Sequence, residues 1–307
     1  MHELIAVLPS AWRQAIQCAA LGDALGVPFE FKPGHQVPPM RDIALPMPAG
    51  FTRSHAGVPY GYWSDDTSQM LALLDSLRAH GGRFDWQDFS QRLLAWYDEG
   101  RYQPAGLVFD CGTQTRHALT LLRVGAYPSS AGTRCGNGAL MRVLPVAALP
   151  QAYGVSEEAA LQTAMAQSAL THPQAISRLL CAAYVQLAWT VVENGTPHSW
   201  RVAGFEALEQ IGTRLLLSGL ERKTLHALQA SASRELPSGS GYVVNTFWSA
   251  LWALERAESV SDALRRAVSL GHDTDTVACV AGGLAGLTLP MDVLAQQWFS
   301  TLPRLAG

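Results

Sequence analysis

The chain has 307 residues, of which 48% are hydrophobic and only 15% charged. This composition supplies enough apolar side chains for a large core and excludes long disordered segments. The net charge is −3 and no basic block or stripe occurs. Nucleic-acid binding, which depends on neutralising phosphates, therefore has little support.

Cysteine usage and the N-terminus bear on the compartment. The five cysteines are scattered without a C-x-x-C pair, at Cys18, Cys111, Cys135, Cys181 and Cys279. This spacing disfavours a disulfide framework or a structural zinc site and favours the reducing cytoplasm. The N-terminal residues lack the basic segment of a signal peptide. No stretch reaches the roughly eighteen apolar residues of a membrane helix, and we expect a monomer that binds no membrane.

The first third of the chain combines a helical pattern with an irregular segment. Apolar spacing predicts a helix over Ala11–Leu25, with Ser10 as its N-cap. Seven prolines then fall between Val27 and Tyr60, which predicts a long loop without helix or strand. We expect this loop to be packed because it carries four aromatic residues, Phe29, Phe31, Phe51 and Tyr60.

Helical periodicity continues through the rest of the chain, and no convincing alternating strand appears. The sequence predicts one all-α domain, residues 1–307, of ten to thirteen helices. The predicted helices after the loop are Ser64–His80, Trp86–Asp98, Thr113–Val124, Ala139–Ala148, Glu157–Leu170, Pro173–Glu193, Trp200–Leu217, Arg222–Leu236, Tyr242–Ala257, Asp262–Leu270, Thr274–Leu287 and Asp292–Phe299. Between two of these helices, the segment Pro237–Gly241 is predicted to be a flexible break. The segment Thr276–Leu287 is rich in Gly and Ala and almost free of polar residues, which predicts a buried central helix.

Two short acidic clusters about two hundred residues apart are the main functional signal: Trp63–Ser68 and Gly271–Thr276. Each places two carboxylates and several hydroxyls just before an apolar helical segment. Acids in a first helical turn also suit the helix dipole, so helix capping explains either cluster taken alone. Both clusters together favour an oxygen-rich site for Mg²⁺ or Mn²⁺, because one Ser or Asp is sufficient for a cap.

Four further positions are candidates for chemistry. Glu30 lies between two aromatic residues, where a carboxylate can have a raised pKa, although an exposed loop Glu explains the pattern equally well. Asp110 precedes a predicted helix and is more often an N-cap. The turn Gly136–Gly138 opens a predicted helix and could bind phosphate through backbone N–H groups, although Asn-Gly is a common turn dipeptide. His172 is more often a structural histidine than a ligand contact.

In order along the chain, these motifs resemble the ADP-ribosylglycohydrolase family, and most of all its bacterial members similar to dinitrogenase reductase–activating glycohydrolase. The resemblance extends from about residue 10 to about residue 290. The motifs that carry it are Gly22-Asp23-Ala24-Leu25-Gly26 with Glu30, Trp63-Ser64-Asp65-Asp66-Thr67, Phe109-Asp110-x-Gly112, Gly136-Asn137-Gly138-x-x-Met141-Arg142, Thr171-His172 and Gly271-x-Asp273-x-Asp275-Thr276.

The resemblance implies an all-α orthogonal helical bundle with a dinuclear Mg²⁺ or Mn²⁺ centre. It implies six metal ligands: Ser64, Asp65, Asp66, Asp273, Asp275 and Thr276. Glu30 and Asp110 then correspond to the catalytic acids, and the substrate-binding residues are Gly112, Gly136, Asn137, Gly138, His172 and His272. His272 departs from the family pattern, in which a small residue is common, and could narrow substrate choice or simply pack.

The implied activity is metal-dependent hydrolysis of the bond between ADP-ribose and a protein side chain, with arginine as the first expectation. ADP-ribosyl-serine and O-acetyl-ADP-ribose are alternative substrates. Two alternatives from another class are a structural relative that has lost catalysis and an immunity partner that blocks a transferase. Retention of every acid at the metal positions favours the enzyme.

Overall fold

The computed structural model describes residues 1–47, 50–132 and 134–303, the side chain of His2 excepted. One of the seven loop prolines, Pro48, and the end of the predicted domain lie outside these ranges. Fifteen α-helices and no named strand occur in the described residues. They are α1 (His2–Ile5), α2 (Ser10–Gly26), α3 (Asp65–Ala79), α4 (Trp86–Glu99), α5 (Thr113–Leu122), α6 (Leu144–Ala147), α7 (Leu149–Tyr153), α8 (Glu157–Ala169), α9 (Ala175–Asn194), α10 (Trp200–Arg214), α11 (Gly219–Ser231), α12 (Val243–Leu254), α13 (Val260–Val268), α14 (Thr274–Thr288) and α15 (Val293–Phe299). The all-α prediction is confirmed.

The helix α14 lies at the centre of the core, as its composition predicts. Every residue from Thr274 to Gly286 is buried. Its neighbours include α2, α9, α12 and α13. Because α14 is enclosed in this way, the acids at its first turn are held by a rigid element.

Glycines allow α2 and α14 to pack with unusually close backbones. A Cβ atom built on Gly22 would lie 2.1 Å from the carbonyl oxygen of Ala278. A Cβ atom on Gly282 of α14 would lie 2.4 Å from the carbonyl oxygen of Cys18. Both obstructing atoms belong to main chain that cannot move aside easily, so the crossing requires glycine at these positions.

Several predicted boundaries are wrong, each for a local reason. The residue at the cap position of α2 is Pro9, so Ser10 is the first helical residue and caps nothing. The predicted helix Ala139–Ala148 is a series of turns up to Val143, followed by α6 and α7. Pro145 has no N–H to donate to a carbonyl four residues earlier, which restricts it to the start of a helix.

Two other helices begin earlier than predicted because a serine caps each of them. The hydroxyl of Ser218 accepts a bond from the Glu221 N–H, and the Glu221 side chain accepts one from the Ser218 N–H, forming a capping box at the start of α11. The Ser259 hydroxyl accepts from the N–H of Asp262 at the start of α13.

The segment between α2 and α3, residues 27–63, is called the Glu30 loop below. Its described part contains three short 3₁₀ helices: Val27–Phe29, Gly34–Gln36 and Met40–Asp42. Phe29 is buried with its ring centroid 5.1 Å from that of Phe51. The aromatic residues contribute unequally to the predicted packing of the loop, because Phe31 and Tyr60 are 69% and 47% exposed.

Among the described residues, one helix, α9, has the length and apolar composition of a membrane-spanning helix. Its most apolar window has a mean hydropathy of 1.5, and 72% of that window is buried inside the protein. Such burial is typical of a core helix in a globular fold.

Candidate active site

The helix α2 contacts the start of both helices that carry the acidic clusters. A Cβ atom on Gly26 would lie 2.4 Å from the Cα of Asp275, so only glycine permits this approach. The Thr274 hydroxyl also donates to the Gly26 carbonyl over 2.8 Å. These contacts fix the first turn of α14 against the last turn of α2.

The Asp23 carboxylate on α2 holds the start of α3 in the same way. It accepts bonds from the Ser64 N–H at 2.8 Å, the Thr67 N–H at 2.9 Å and the Thr67 hydroxyl at 2.6 Å. Burial raises the pKa of Asp23 to about 6, although these hydrogen bonds lower it in part. Asp23 is not among the predicted site residues; its signal in the sequence is a charged residue among small residues on a buried helix.

The two acidic clusters meet at Asp66. Its Oδ2 atom accepts bonds from the Thr276 hydroxyl at 3.3 Å and the Ser64 hydroxyl at 3.1 Å. Ser64 also accepts a bond from the Asp66 N–H and therefore caps α3. The other carboxylate oxygen of Asp66, Oδ1, is buried without a hydrogen-bond partner among the described residues. An orphaned buried carboxylate oxygen is costly unless a ligand satisfies it.

Asp65 is oriented by a chain of buried polar side chains. Its Oδ2 atom accepts a bond from the Gln69 amide at 3.0 Å, and Gln69 accepts one from the Arg142 guanidinium at 2.7 Å. Arg142 is fully buried, and burial lowers its pKa to about 10. Its other donors bond Gln167 and Thr171. This network fixes one carboxylate oxygen of Asp65. The residue also lines the cavity described below.

Asp273 takes its position from the opposite wall. Its Oδ2 atom accepts a bond from the Asn137 amide nitrogen at 2.8 Å, and the same nitrogen donates to the Thr246 hydroxyl at 2.9 Å. Asp273 is at the cap position of α14 but makes no side-chain capping bond. Both amide hydrogens of Asn137 are therefore used within the protein, and the side chain positions Asp273.

Glu30 and Asp110 come close to the second acidic cluster. Glu30, Asp110 and Asp275 each present a carboxylate oxygen, and these three atoms lie within 4.8 Å of one another. The capping explanation for Asp110 is wrong, because Gly112 is at the cap position of α5 and the Asp110 carboxylate accepts from the Cys111 N–H. Burial, followed by the charge of Asp110, raises the pKa of Glu30 to about 10.

The residues present fit a divalent cation. Burial and neighbouring carboxylates raise the pKa values of Asp65, Asp66 and Asp275 well above the usual range. A bound cation would favour the ionised form of all of them, and every side-chain donor of the group is an oxygen, as Mg²⁺ and Mn²⁺ prefer. The unpartnered Oδ1 of Asp66 is an available ligand atom.

The Gly136–Gly138 turn is supported by side chains beneath it. A Cβ atom on Gly138 would lie 2.9 Å from Cε1 of His172, so the ring packs directly under the turn. The Gly136 N–H donates to the Gln114 side chain at 3.1 Å and is not free for a phosphate. The turn does not open a helix, because the next helix begins at Leu144. The prediction that this turn opens a helix is therefore wrong.

His172 is buried and neutral. Its Nδ1 atom shares a hydrogen bond of 2.7 Å with the Thr171 hydroxyl. Burial and the nearby Arg142 lower the pKa of His172 to about 3. Both the structural interpretation and the substrate-binding prediction are compatible with this position, because His172 also lines the cavity.

A single cavity of about 800 Å³ connects these groups. This volume is within the range of small-molecule sites, about 300–1,000 Å³. Every predicted site residue lines it except Ser64, Asp66 and Asp275, which lie behind its surface. The lining also includes residues that the sequence analysis missed, among them Phe31, Gln114, Arg116, Arg134, Ser240 and Gly241. The last two belong to Pro237–Gly241, which thus forms part of the cavity wall.

His272 joins the Glu30 loop to the second acidic cluster through its backbone. Its N–H donates to the Lys32 carbonyl at 2.5 Å, and its carbonyl accepts from the Phe31 N–H at 2.6 Å. Both His272 and Phe31 have a left-handed φ of 62°, which is uncommon for residues other than glycine. The His272 side chain is exposed at the cavity, where a substrate could contact it.

Comparison with known proteins agrees with the all-α fold. The chain is 30% identical to ADP-ribosylarginine hydrolase Tri1 of Pseudomonas putida, over 91% of this chain and 70% of that protein. It is 26% identical to ADP-ribosyl-[dinitrogen reductase] glycohydrolase of Rhodospirillum rubrum, over 92% of this chain and 87% of the relative. A solved structure, titled ADP-ribosylglycohydrolase-related protein complex, superposes with a TM-score of 0.72 at 29% identity and covers 95% of this chain and 92% of its own.

The sequence model of one family, ADP-ribosylglycohydrolase, matches residues 7–306, nearly the whole chain. The chain therefore belongs to the ADP-ribosylglycohydrolase family and is a glycosidic hydrolase.

Proposed function

We propose that this protein removes ADP-ribose from a protein side chain, preferably arginine, by hydrolysing the glycosidic bond with the help of divalent cations. The observation that carries the proposal is the cavity of about 800 Å³, whose lining brings Asp65 of the first cluster and Asp273 of the second together with the Gly136–Gly138 turn. One end of such a cavity suits a cation and a sugar, and the other suits the remainder of a nucleotide. We further propose that the protein acts as a cytoplasmic monomer.

Two Mg²⁺ or Mn²⁺ ions would be held by the oxygen donors of the two clusters: Ser64, Asp65, Asp66, Asp273, Asp275 and Thr276. When bound, the cations supply positive charge that orients ribose hydroxyls and stabilises the transition state. Asp23, Gln69 and Asn137 contribute indirectly, because their hydrogen bonds fix the donor residues before the substrate arrives.

Glu30 and Asp110 act as the proton donor and the proton acceptor of the reaction. In hydrolysis a bond forms between water oxygen and the anomeric carbon of the ribose, and the bond from that carbon to the leaving nitrogen or oxygen breaks. One carboxylate accepts the proton lost by water, and a protonated carboxyl donates a proton to the leaving group. The raised pKa of Glu30 suits the proton donor, and Asp110 is the neighbouring acid that can take the other role.

The chemistry of the cavity supports arginine as the modified residue. Four acids line it, namely Glu30, Asp65, Asp110 and Asp273. The guanidinium group that leaves from an arginine conjugate is positively charged once protonated. Carboxylates stabilise this charged leaving group more than they stabilise the neutral hydroxyl that leaves from a serine conjugate. Two of the similar proteins, from Pseudomonas putida and Serratia proteamaculans, are named ADP-ribosylarginine hydrolases.

The test is a panel of substrates assayed with and without Mg²⁺. ADP-ribosyl-arginine, ADP-ribosyl-serine and O-acetyl-ADP-ribose are incubated with the full chain, and released ADP-ribose is quantified. We expect the arginine conjugate to be cleaved fastest, and only when a divalent cation is present. Faster cleavage of either oxygen-linked substrate would overturn the arginine assignment, and no release from any of the three would overturn the proposed activity.

A further inference from the structure

A histidine on the Glu30 loop makes a contact that the proposed mechanism does not use. The Nε2 atom of His55 lies 2.7 Å from Oε2 of Glu30, within hydrogen-bond distance. Both side chains are nearly enclosed, with 13% and 6% exposed, respectively. The histidine is 25 residues from its partner in the sequence, and it was not among the predicted site residues.

The adjacent serine holds the backbone of the same glutamate. The Ser54 hydroxyl donates to the Glu30 carbonyl, and the Ser54 N–H donates to the Pro28 carbonyl at 2.8 Å. Consecutive residues of the loop therefore fix both the main chain and the side chain of Glu30. One contact could be incidental, but the two together define the position of this carboxylate.

The ring of His55 is itself fixed by aromatic neighbours. Its centroid lies 5.5 Å from that of Phe31 and 5.0 Å from that of Phe109. Phe31 follows Glu30 in the chain, and Phe109 precedes Asp110. His55 also has a left-handed φ of 49°, a conformation that costs free energy and is retained where the surroundings require it.

The Glu30 side chain needs such support because it is a polar group buried among other acids. Oxygen atoms of Asp110 and Asp275 lie within 4.8 Å, and Phe31, the next residue along the chain, is exposed to solvent. Without a partner, the buried carboxyl group would gain hydration by turning outward. The contact with His55 opposes that movement.

We infer that His55 is a positioning residue that keeps the Glu30 carboxylate in the cavity beside Asp110 and Asp275, and that kcat depends on this contact. The inference rests on the proposed function, in which Glu30 transfers a proton. A carboxylate displaced by about 1 Å can cost about a hundredfold in rate.

The main experiment is a double-mutant cycle on ADP-ribosyl-arginine hydrolysis in the presence of Mg²⁺. We expect His55→Ala to lower kcat by about 10- to 100-fold, the usual cost of losing an indirect partner in a site, while KM changes little. If His55 acts through Glu30, adding His55→Ala to Glu30→Ala produces no further loss. Losses that multiply in the double variant, or a wild-type kcat for His55→Ala, would overturn the inference.

Two further variants separate positioning from folding. His55→Gln retains a nitrogen donor near the position of Nε2 and should recover most of the lost kcat. His35→Ala is the matched control, because His35 is an exposed histidine on the same loop outside the cavity lining. We expect equal melting temperatures for the two alanine variants. If His55→Ala loses both stability and kcat, and His55→Gln does not restore them, the role of His55 is in folding and not in positioning Glu30. If the wild-type chain releases no ADP-ribose, the proposed function itself fails, and that result is distinct from an unaffected His55→Ala.

Discussion

The acidic half and the glycine-turn half of the cavity are constructed differently. In the acidic half, carboxylates stand on the first turns of α3 and α14. Close main-chain packing of Gly26 against Asp275 fixes α14 on α2, and the buried Asp23 carboxylate fixes the start of α3. In the other half, the turn Gly136–Gly138 is irregular and is supported by the side chains of Gln114 and His172.

The two halves should differ in how well they tolerate substitution. Main-chain packing between buried helices has no low-energy way to adjust, and a cation requires its ligands at fixed distances. Side chains beneath a turn can rotate or shift by a few tenths of an ångström. Substitutions should therefore abolish function in the acidic half and only weaken substrate binding in the turn half.

The largest effect is expected from Asp275→Asn. Losing one carboxylate weakens the cation site and removes charge stabilisation worth several kcal/mol, so kcat should fall by about a thousandfold. Asp262→Asn is the matched control, because Asp262 is also in the first turn of a helix, α13, but does not belong to the group of acids that Asp275 forms with Glu30 and Asp110. Steady-state kinetics with Mg²⁺ checks both variants, and equal activity in the two would remove Asp275 from the mechanism.

A smaller but still substantial effect is expected from Gly26→Ala. The added methyl group would lie 2.4 Å from the Cα and N atoms of Asp275, and overpacking of this kind costs about 1–3 kcal/mol of the free energy of unfolding. Thermal unfolding should show a drop of several degrees, with reduced kcat. In Gly219→Ala, where nothing lies within 4 Å of the new atom, stability should stay the same. Matching melting temperatures for the two variants would show that the close crossing is not required.

The smallest effect is expected in the glycine turn. In Gly138→Ala the new atom meets His172 at 2.9 Å and Thr115 at 3.1 Å, both side-chain contacts that can shift. We expect KM to rise about fivefold, equivalent to about 1 kcal/mol, with kcat nearly unchanged. Gly132→Ala, whose nearest atom is at an ordinary 3.5 Å, is the control. A fall in kcat as large as that of Asp275→Asn would mean that the two halves are not separable.

Much of the acidic half could be predicted from the sequence because its signals are local. Adjacent acids and hydroxyls precede apolar helical runs, and the structure places Asp65, Asp66 and Asp275 in the first turns of α3 and α14. The Gly- and Ala-rich composition of α14 indicated a buried central helix, which is confirmed.

The rest could not be predicted because it depends on partners distant in sequence. No local pattern indicates that His55 contacts Glu30, or that Asn137 contacts Asp273, 136 residues away. The prediction of a helix over Ala139–Ala148 is wrong for two reasons. Pro145 is restricted to the start of a helix, and Arg142 forms hydrogen bonds with side chains that are distant in the sequence. The capping box Ser218–Glu221 was visible in the sequence and could have set the start of α11.

We propose that the two acidic clusters form one cation site, and anomalous X-ray scattering from crystals of the full chain soaked in Mn²⁺ is the decisive measurement. We expect two manganese peaks among the carboxylates of Asp65, Asp66, Asp273 and Asp275, and we expect both peaks to disappear in Asp275→Asn. A shared cation site is ruled out if manganese binds only elsewhere, or if no manganese lies between the clusters at a concentration that supports full activity.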